Sequence, residues 1–228
     1  VLMFFLSGEL LIENSSEKQA KNSDSLKRTD PLFSQITALL SSTVISCFLF
    51  FTFLAAALIG IQTFGVSALQ VLYALSLKSA TAALTAFLIG SALGILTGGV
   101  IADKVKKHQI VAILGVTLAS LGLVIIGGNF ISSYFVLPAL ALSGFFSGIT
   151  APSRDMLVRK ITPPGASGRI FGFVYSGLDL GSSIMPLLAG ALMDAGKADM
   201  VFYSCALMFV IAIITILKIP DKSRSITV

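Results

Sequence analysis

Gly98-Gly99-Val100-Ile101-Ala102-Asp103-Lys104-Val105-Lys106-Lys107-His108 is a short charged turn between two long stretches without any charge. Upstream, nothing from Ser79 to Ala102 is charged; downstream, nothing from Gln109 to Ser153 is. The pattern repeats along the chain. Pro31–Leu77 and Met200–Leu217 are also uncharged, and Ile170–Met193 carries one acid, Asp179. A membrane span needs about 20 apolar residues at about 1.5 Å rise each. The gaps therefore predict six spans, at about 42–64, 79–101, 109–128, 134–156, 170–192 and 199–217. Composition agrees: 55% of residues are hydrophobic and 12% charged, where a soluble domain carries about 25% charge. A soluble globule would lack the polar surface, and a disordered chain would not carry so much to bury. The predicted class is an all-α membrane protein, a bundle of six transmembrane helices.

The stretch 31–77 is long for one span and short for two. Charge placement decides it. With one span there, all but two of the 16 Lys and Arg residues fall on one side. They lie in the linker (Lys18, Lys21, Lys27, Arg28), in the loops 103–108 and 154–169, and in the tail (Lys218, Lys222, Arg224). Only Lys78 and Lys197 fall on the other. That side is taken as cytoplasmic, with 31–41 along its face and 65–77 a partly buried outer segment. Residues 1–12 read as the tail of a preceding transmembrane helix rather than a signal peptide, since they lack a basic start and a small-residue cleavage site. Residues 13–41 read as a cytoplasmic linker, 42–217 as the six-helix unit and 218–228 as a cytoplasmic tail. The basic residues are spread over short loops, which argues against a nucleic-acid surface.

Soluble catalytic chemistry has little to use. There is no H-E-x-x-H, C-x-x-C or G-x-S-x-G, and the one histidine, His108, ends a basic loop where it should be solvated or interfacial. Gly144-Phe145-Phe146-Ser147-Gly148 lacks an intramembrane base for its serine. No metal or cofactor site is expected. Cys47 and Cys205 lie inside spans and read as small packing residues. Gly90, Gly94 and Gly98 recur every four residues, as do Gly144 and Gly148, and Gly177 and Gly181. Such ridges, together with Pro186 and Gly190, read as helix-packing positions.

The opening turn resembles the loop signature of the major facilitator superfamily, G-x-L-A-D-R-x-G-R-K. Gly99, Ala102, Asp103, Lys104 and Lys107 match it or substitute conservatively, while Ile101, Lys106 and His108 depart from it. A second stretch, Ala151-Pro152-Ser153-Arg154-Asp155 through Arg159, then Thr162-Pro163-Pro164-Gly165 and Gly168-Arg169-Ile170-Phe171-Gly172-Phe173, is similar to bacterial drug-export members resembling fosmidomycin-resistance exporters. The resemblance implies half of a twelve-helix fold: the linker and the C-terminal six helices, with the N-terminal six-helix half as its missing partner. It also implies a bacterial cytoplasmic membrane location, and it places Gly99, Asp103, Lys104, Lys107, Arg154, Asp155 and Arg159 in a cytoplasmic gating motif.

Asp179 is the leading site candidate. A carboxylate near the middle of a span costs about 2.5–3.5 kcal/mol on insertion scales, so it should face a cavity or a partner. Tyr175, Asp179 and Ser183 follow at i, i+4 and i+8, one helical face. Proton coupling or substrate contact is one reading, and a structural carboxyl bonded to nearby hydroxyls is the other. Ser143, Ser147 and Thr150 form a second polar face, and Gln62 and Thr63 a third; each is either helix packing or cavity lining. The resemblance favours lining for the spans that carry them. The resulting expectation is a secondary transporter of a small organic molecule, coupled to protons and exporting. An importer of organic acids or sugars and a non-transporting assembly fragment are the alternatives.

Overall fold

A computed structural model describes residues 41–105, 107–162 and 167–218. The segments 1–12 and 13–40, with Lys18, Lys21, Lys27 and Arg28, lie outside the described residues. So do Lys106, residues 163–166 with Pro163, Pro164 and Gly165, and residues 219–228 with Lys222 and Arg224. Six helices follow in order: α1 (Ser42–Tyr73), α2 (Leu77–Lys104), α3 (His108–Gly127), α4 (Ser133–Ile161), α5 (Ser167–Asp194) and α6 (Ala198–Leu217). Each is long and apolar enough to cross a bilayer.

The helices overrun the apolar gaps at several ends, and the reason is physical. Charge marks where the chain leaves hydrocarbon; backbone hydrogen bonding continues past that point. The expected loop 154–169 is helical up to Ile161, so Arg154, Asp155 and Arg159 belong to α4. That helix ends one residue short of the Thr162-Pro163 bond, where a following proline disfavours helical backbone. The expected outer segment 65–77 is likewise helix as far as Tyr73. At 32 residues α1 is about 48 Å long, well beyond a hydrocarbon core of about 30 Å. It ends where Ala74 takes left-handed backbone, φ 50°, and Ser76 caps α2 by accepting from the Ser79 amide at 3.2 Å. His108 is not solvated: it opens α3 and is 4% exposed.

Packing follows one continuous order. Helix α2 lies on α4, α4 on α3, α3 on α6, α6 on α1, and α1 on α5. Exchanging α1 with α4, α2 with α5 and α3 with α6 maps this set of pairs onto itself, with α3–α6 as the central pair. The bundle is therefore two three-helix repeats, and an odd number of spans per repeat inverts the second relative to the first. Helices α2 and α5, at the two ends of the series, are the least enclosed, and α1 is the most. The series is pinned by bonds to backbone carbonyls. Gln109 donates to Ile216 at 2.7 Å, Tyr73 to Ile126 at 2.8 Å and Ser120 to Ala206 at 3.2 Å.

Without water to drive helices together, close approach and dispersion must hold them. On the α2–α4 seam, a methyl group at Gly90, Gly94 or Gly98 would run into the carbonyls of Ala141, Phe145 and Ile149. From the other side, one at Gly144 or Gly148 would meet the carbonyls of Phe87 and Ser91. On the α1–α5 seam, Gly177 and Gly181 face the carbonyls of Phe48 and Thr52, while Gly190 meets only the end of the Phe64 ring. Pro186 sits half-buried within α5. Cys47 and Cys205 are buried and free, with the Cys205 sulfur set against Gly60.

Candidate functional site

Three polar faces compete for the role of site, and burial separates them. Ser143, Ser147 and Thr150 are all buried. Their hydroxyls donate along their own helix, to Ala139 at 2.9 Å, Gly144 at 2.8 Å and Phe146 at 3.3 Å. Ser143 fills the space beside Gly122, and Thr150 the space beside Gly115. These two hydroxyls pack α4 onto α3. Gln62 and Thr63 on α1 are exposed, and Thr63 donates to the Ile59 carbonyl at 2.7 Å.

The face of α5 differs. Ser176, Asp179 and Ser183 are all exposed, spaced so that they share one stripe of the helix. Neither neighbouring hydroxyl serves the carboxylate. Ser183 donates to the backbone carbonyl of Asp179, at 2.8 Å, and Tyr175 faces elsewhere. Among the described residues no ion pair involves Asp179. A carboxylate is thus held on the open side of one of the two least enclosed helices.

Tyr175 joins a different cluster, where α1, α4 and α5 meet near the ends of α4 and α5 that carry the basic residues. Arg154 pairs with Asp155 at 3.0 Å, and its guanidinium lies 4.6 Å over the Phe51 ring. The Tyr175 hydroxyl lies near the Asp155 carboxylate. Its ring lies 5.2 Å from Phe51 and 5.8 Å from Phe171. One residue away, Ser153 is fully buried, and its hydroxyl has no partner among the described residues. The pair Arg154–Asp155 therefore ties α4 to both α1 and α5, helices it otherwise barely touches. A guanidinium over an aromatic face contributes about 0.5–2 kcal/mol.

The remaining members of the expected gating motif stay apart from this cluster. Asp103, Lys104, Lys107 and Arg159 are exposed, and the ion pair among the described residues is Arg154–Asp155 alone. Around Gly99 nothing approaches within 4 Å of where a Cβ would sit, so this six-helix unit does not itself require that glycine. Sequence reasoning missed Phe51, Phe171 and Ser153. Ser153 and Phe171 fall within the second resembling stretch without a role assigned there, and no motif marks Phe51, because these roles depend on which helices meet. Ser176 was legible as a further polar position on the Asp179 stripe.

A sequence profile of the Major Facilitator Superfamily matches residues 4–227. The fosmidomycin resistance protein of Escherichia coli (strain K12) is 28% identical over 152 residues, covering 66% of this chain and 36% of that protein. The matched stretch thus spans little more than a third of that relative's length.

Proposed function

Because the chain belongs to the Major Facilitator Superfamily, an integral multi-pass membrane family of transporters, not enzymes, we propose that it is the C-terminal half of a proton-coupled exporter of a small organic molecule. One observation carries this reading: Asp179 stands exposed, with no ion-pair partner among the described residues, midway along a membrane-spanning helix. Facing lipid there would cost about 2.5–3.5 kcal/mol. Its stripe with Ser176 and Ser183 therefore faces water, substrate or the other six helices. A carboxylate so placed takes a proton from one side and gives it to the other as the halves rock about a midplane site.

In this scheme Arg154, Asp155 and Tyr175 form a cytoplasmic latch within the half, and Asp103, Lys104, Lys107 and Arg159 meet the N-terminal half. Gln62 and Thr63 are the lining candidates left open after burial. Export, rather than import, is favoured by the relative named for resistance to fosmidomycin. The linker and tail lie in the cytoplasm of a bacterial inner membrane.

Two experiments test the scheme. Flux of a substrate panel by the full-length protein, with and without a protonophore, should show outward transport that the protonophore abolishes; inward or uncoupled flux contradicts it. Cysteines introduced at Ser25 and Ser225 should resist an impermeant thiol reagent in intact cells, while one at Ala195 should react. Outside labelling at Ser25 would overturn the orientation.

A further inference from the structure

A cavity of about 550 Å³ opens between the first turns of α2 and α4, at the ends away from the Arg154 cluster. Leu75, Ala82, Val136 and Leu137 form its apolar wall, and Lys78, Ser79, Ser133 and Tyr134 its polar one. Lys78 is oddly placed by two independent rules. Among the described residues it is one of only two basic residues, with Lys197, at this end of the bundle, the end that basic residues otherwise avoid. It also sits in the first turn of α2, where the backbone amides already present positive potential and a cation is disfavoured. Nothing in this unit offsets that. No carboxylate pairs with it among the described residues, and the nearby Ser79 hydroxyl is engaged with that of Ser76 at 3.0 Å. Across the cavity, Tyr134 is 89% exposed, its hydroxyl unengaged. The walls combine a cation, one amphipathic ring and aliphatic groups around an opening.

We propose that this cavity binds an anionic group, a phosphate or carboxylate, on Lys78, with the Ser133 and Tyr134 hydroxyls completing its shell. The phosphate of an anionic lipid with its acyl chain along Val136 and Leu137 presents this chemistry, and so does a soluble anion.

The test reads lysine chemistry rather than flux, so its outcome is independent of the transport reading. Full-length protein in maltoside micelles is treated with an amine-reactive ester, and labelling of Lys78 is followed by mass spectrometry. Lys197, exposed in the α5–α6 turn, serves as internal reference. Added inorganic phosphate or added phosphatidylglycerol should slow Lys78 relative to Lys197 by about threefold once the ligand reaches about twice its Kd. Protection by phosphate assigns a soluble anion; protection by phosphatidylglycerol alone assigns a lipid headgroup. Ser133→Ala should weaken either protection without changing Lys197. Equal labelling in all conditions, or equal protection by chloride at matched ionic strength, overturns the proposal.

Discussion

The α2–α4 and α1–α5 seams occupy equivalent places in the two inverted repeats, yet they are built differently. In α2–α4, glycines from both helices interleave: Gly90, Gly94 and Gly98 on one side, Gly144 and Gly148 on the other, each against backbone. In α1–α5 only one helix supplies glycines to the backbone approach, at Gly177 and Gly181. Beyond them the seam is made by side chains, with Phe48 stacked on Phe173 at 4.9 Å and Phe64 set against Gly190. Backbone locked on backbone leaves no rotamer to change, whereas aromatic rings can slide. The first seam makes a rigid plank; the second has side chains that can move, and it holds the Tyr175–Phe51 contact, while Asp179 lies on the open side of its helix α5.

The largest effect is expected where the plank is forced apart. Gly94→Leu drives a side chain into the Phe145 carbonyl, and should abolish monodisperse protein on size-exclusion chromatography. The gentler Gly94→Ala should cost about 1–3 kcal/mol, the usual range for overpacking. Gly190→Ala in the other seam meets only a movable ring, and its melting temperature should stay close to that of the parent. Equal losses at both positions would erase the distinction between the seams.

Smaller but more functional is the Arg154 cluster. Arg154→Gln removes the pair with Asp155 and the charge over Phe51. It should lower transport several-fold with expression retained, since a gating contact of about 1–2 kcal/mol shifts a two-state balance by that much. Tyr175→Phe keeps the ring contacts and loses only the hydroxyl, and should lower flux less than Arg154→Gln does. Wild-type flux in Arg154→Gln would show that α4 needs no tether to α1 and α5.

Least of all should follow from the hydroxyls of α4. Ser147→Ala removes a group that bonds only to its own helix and is 5% exposed. Flux and affinity should match the parent, with stability changed by about 1 kcal/mol or less. A changed substrate preference would place that buried face on the pathway after all.

These contrasts also mark what could be read from the chain alone. Six helices were legible because uncharged runs are a direct consequence of the cost of charge in hydrocarbon. The expected span 134–156 stopped five residues short of the end of α4 at Ile161, because charge reports the membrane edge and not the helix end. Ser143, Ser147 and Thr150 look as polar as Ser176, Asp179 and Ser183 on a helical wheel. Only the neighbours distinguish them: Ser143, Ser147 and Thr150 are buried, two of them against α3, whereas Ser176, Asp179 and Ser183 are exposed among the described residues. The Tyr175–Asp155 approach joins residues twenty positions apart across a turn, and no local pattern encodes it.

The central claim is that the uncovered carboxylate on α5 carries the coupling proton. Its direct test is proton-gradient-driven flux in proteoliposomes containing full-length Asp179→Asn, beside Asp179→Glu and the parent. Asn holds the shape of a permanently protonated acid, so the protein should insert and fold as the parent does and bind or exchange substrate, while gradient-driven flux is lost. Glu, one methylene longer, should keep partial flux with a displaced pH optimum. Undiminished gradient-driven flux in the Asn variant would contradict the account and leave Asp179 a structural residue.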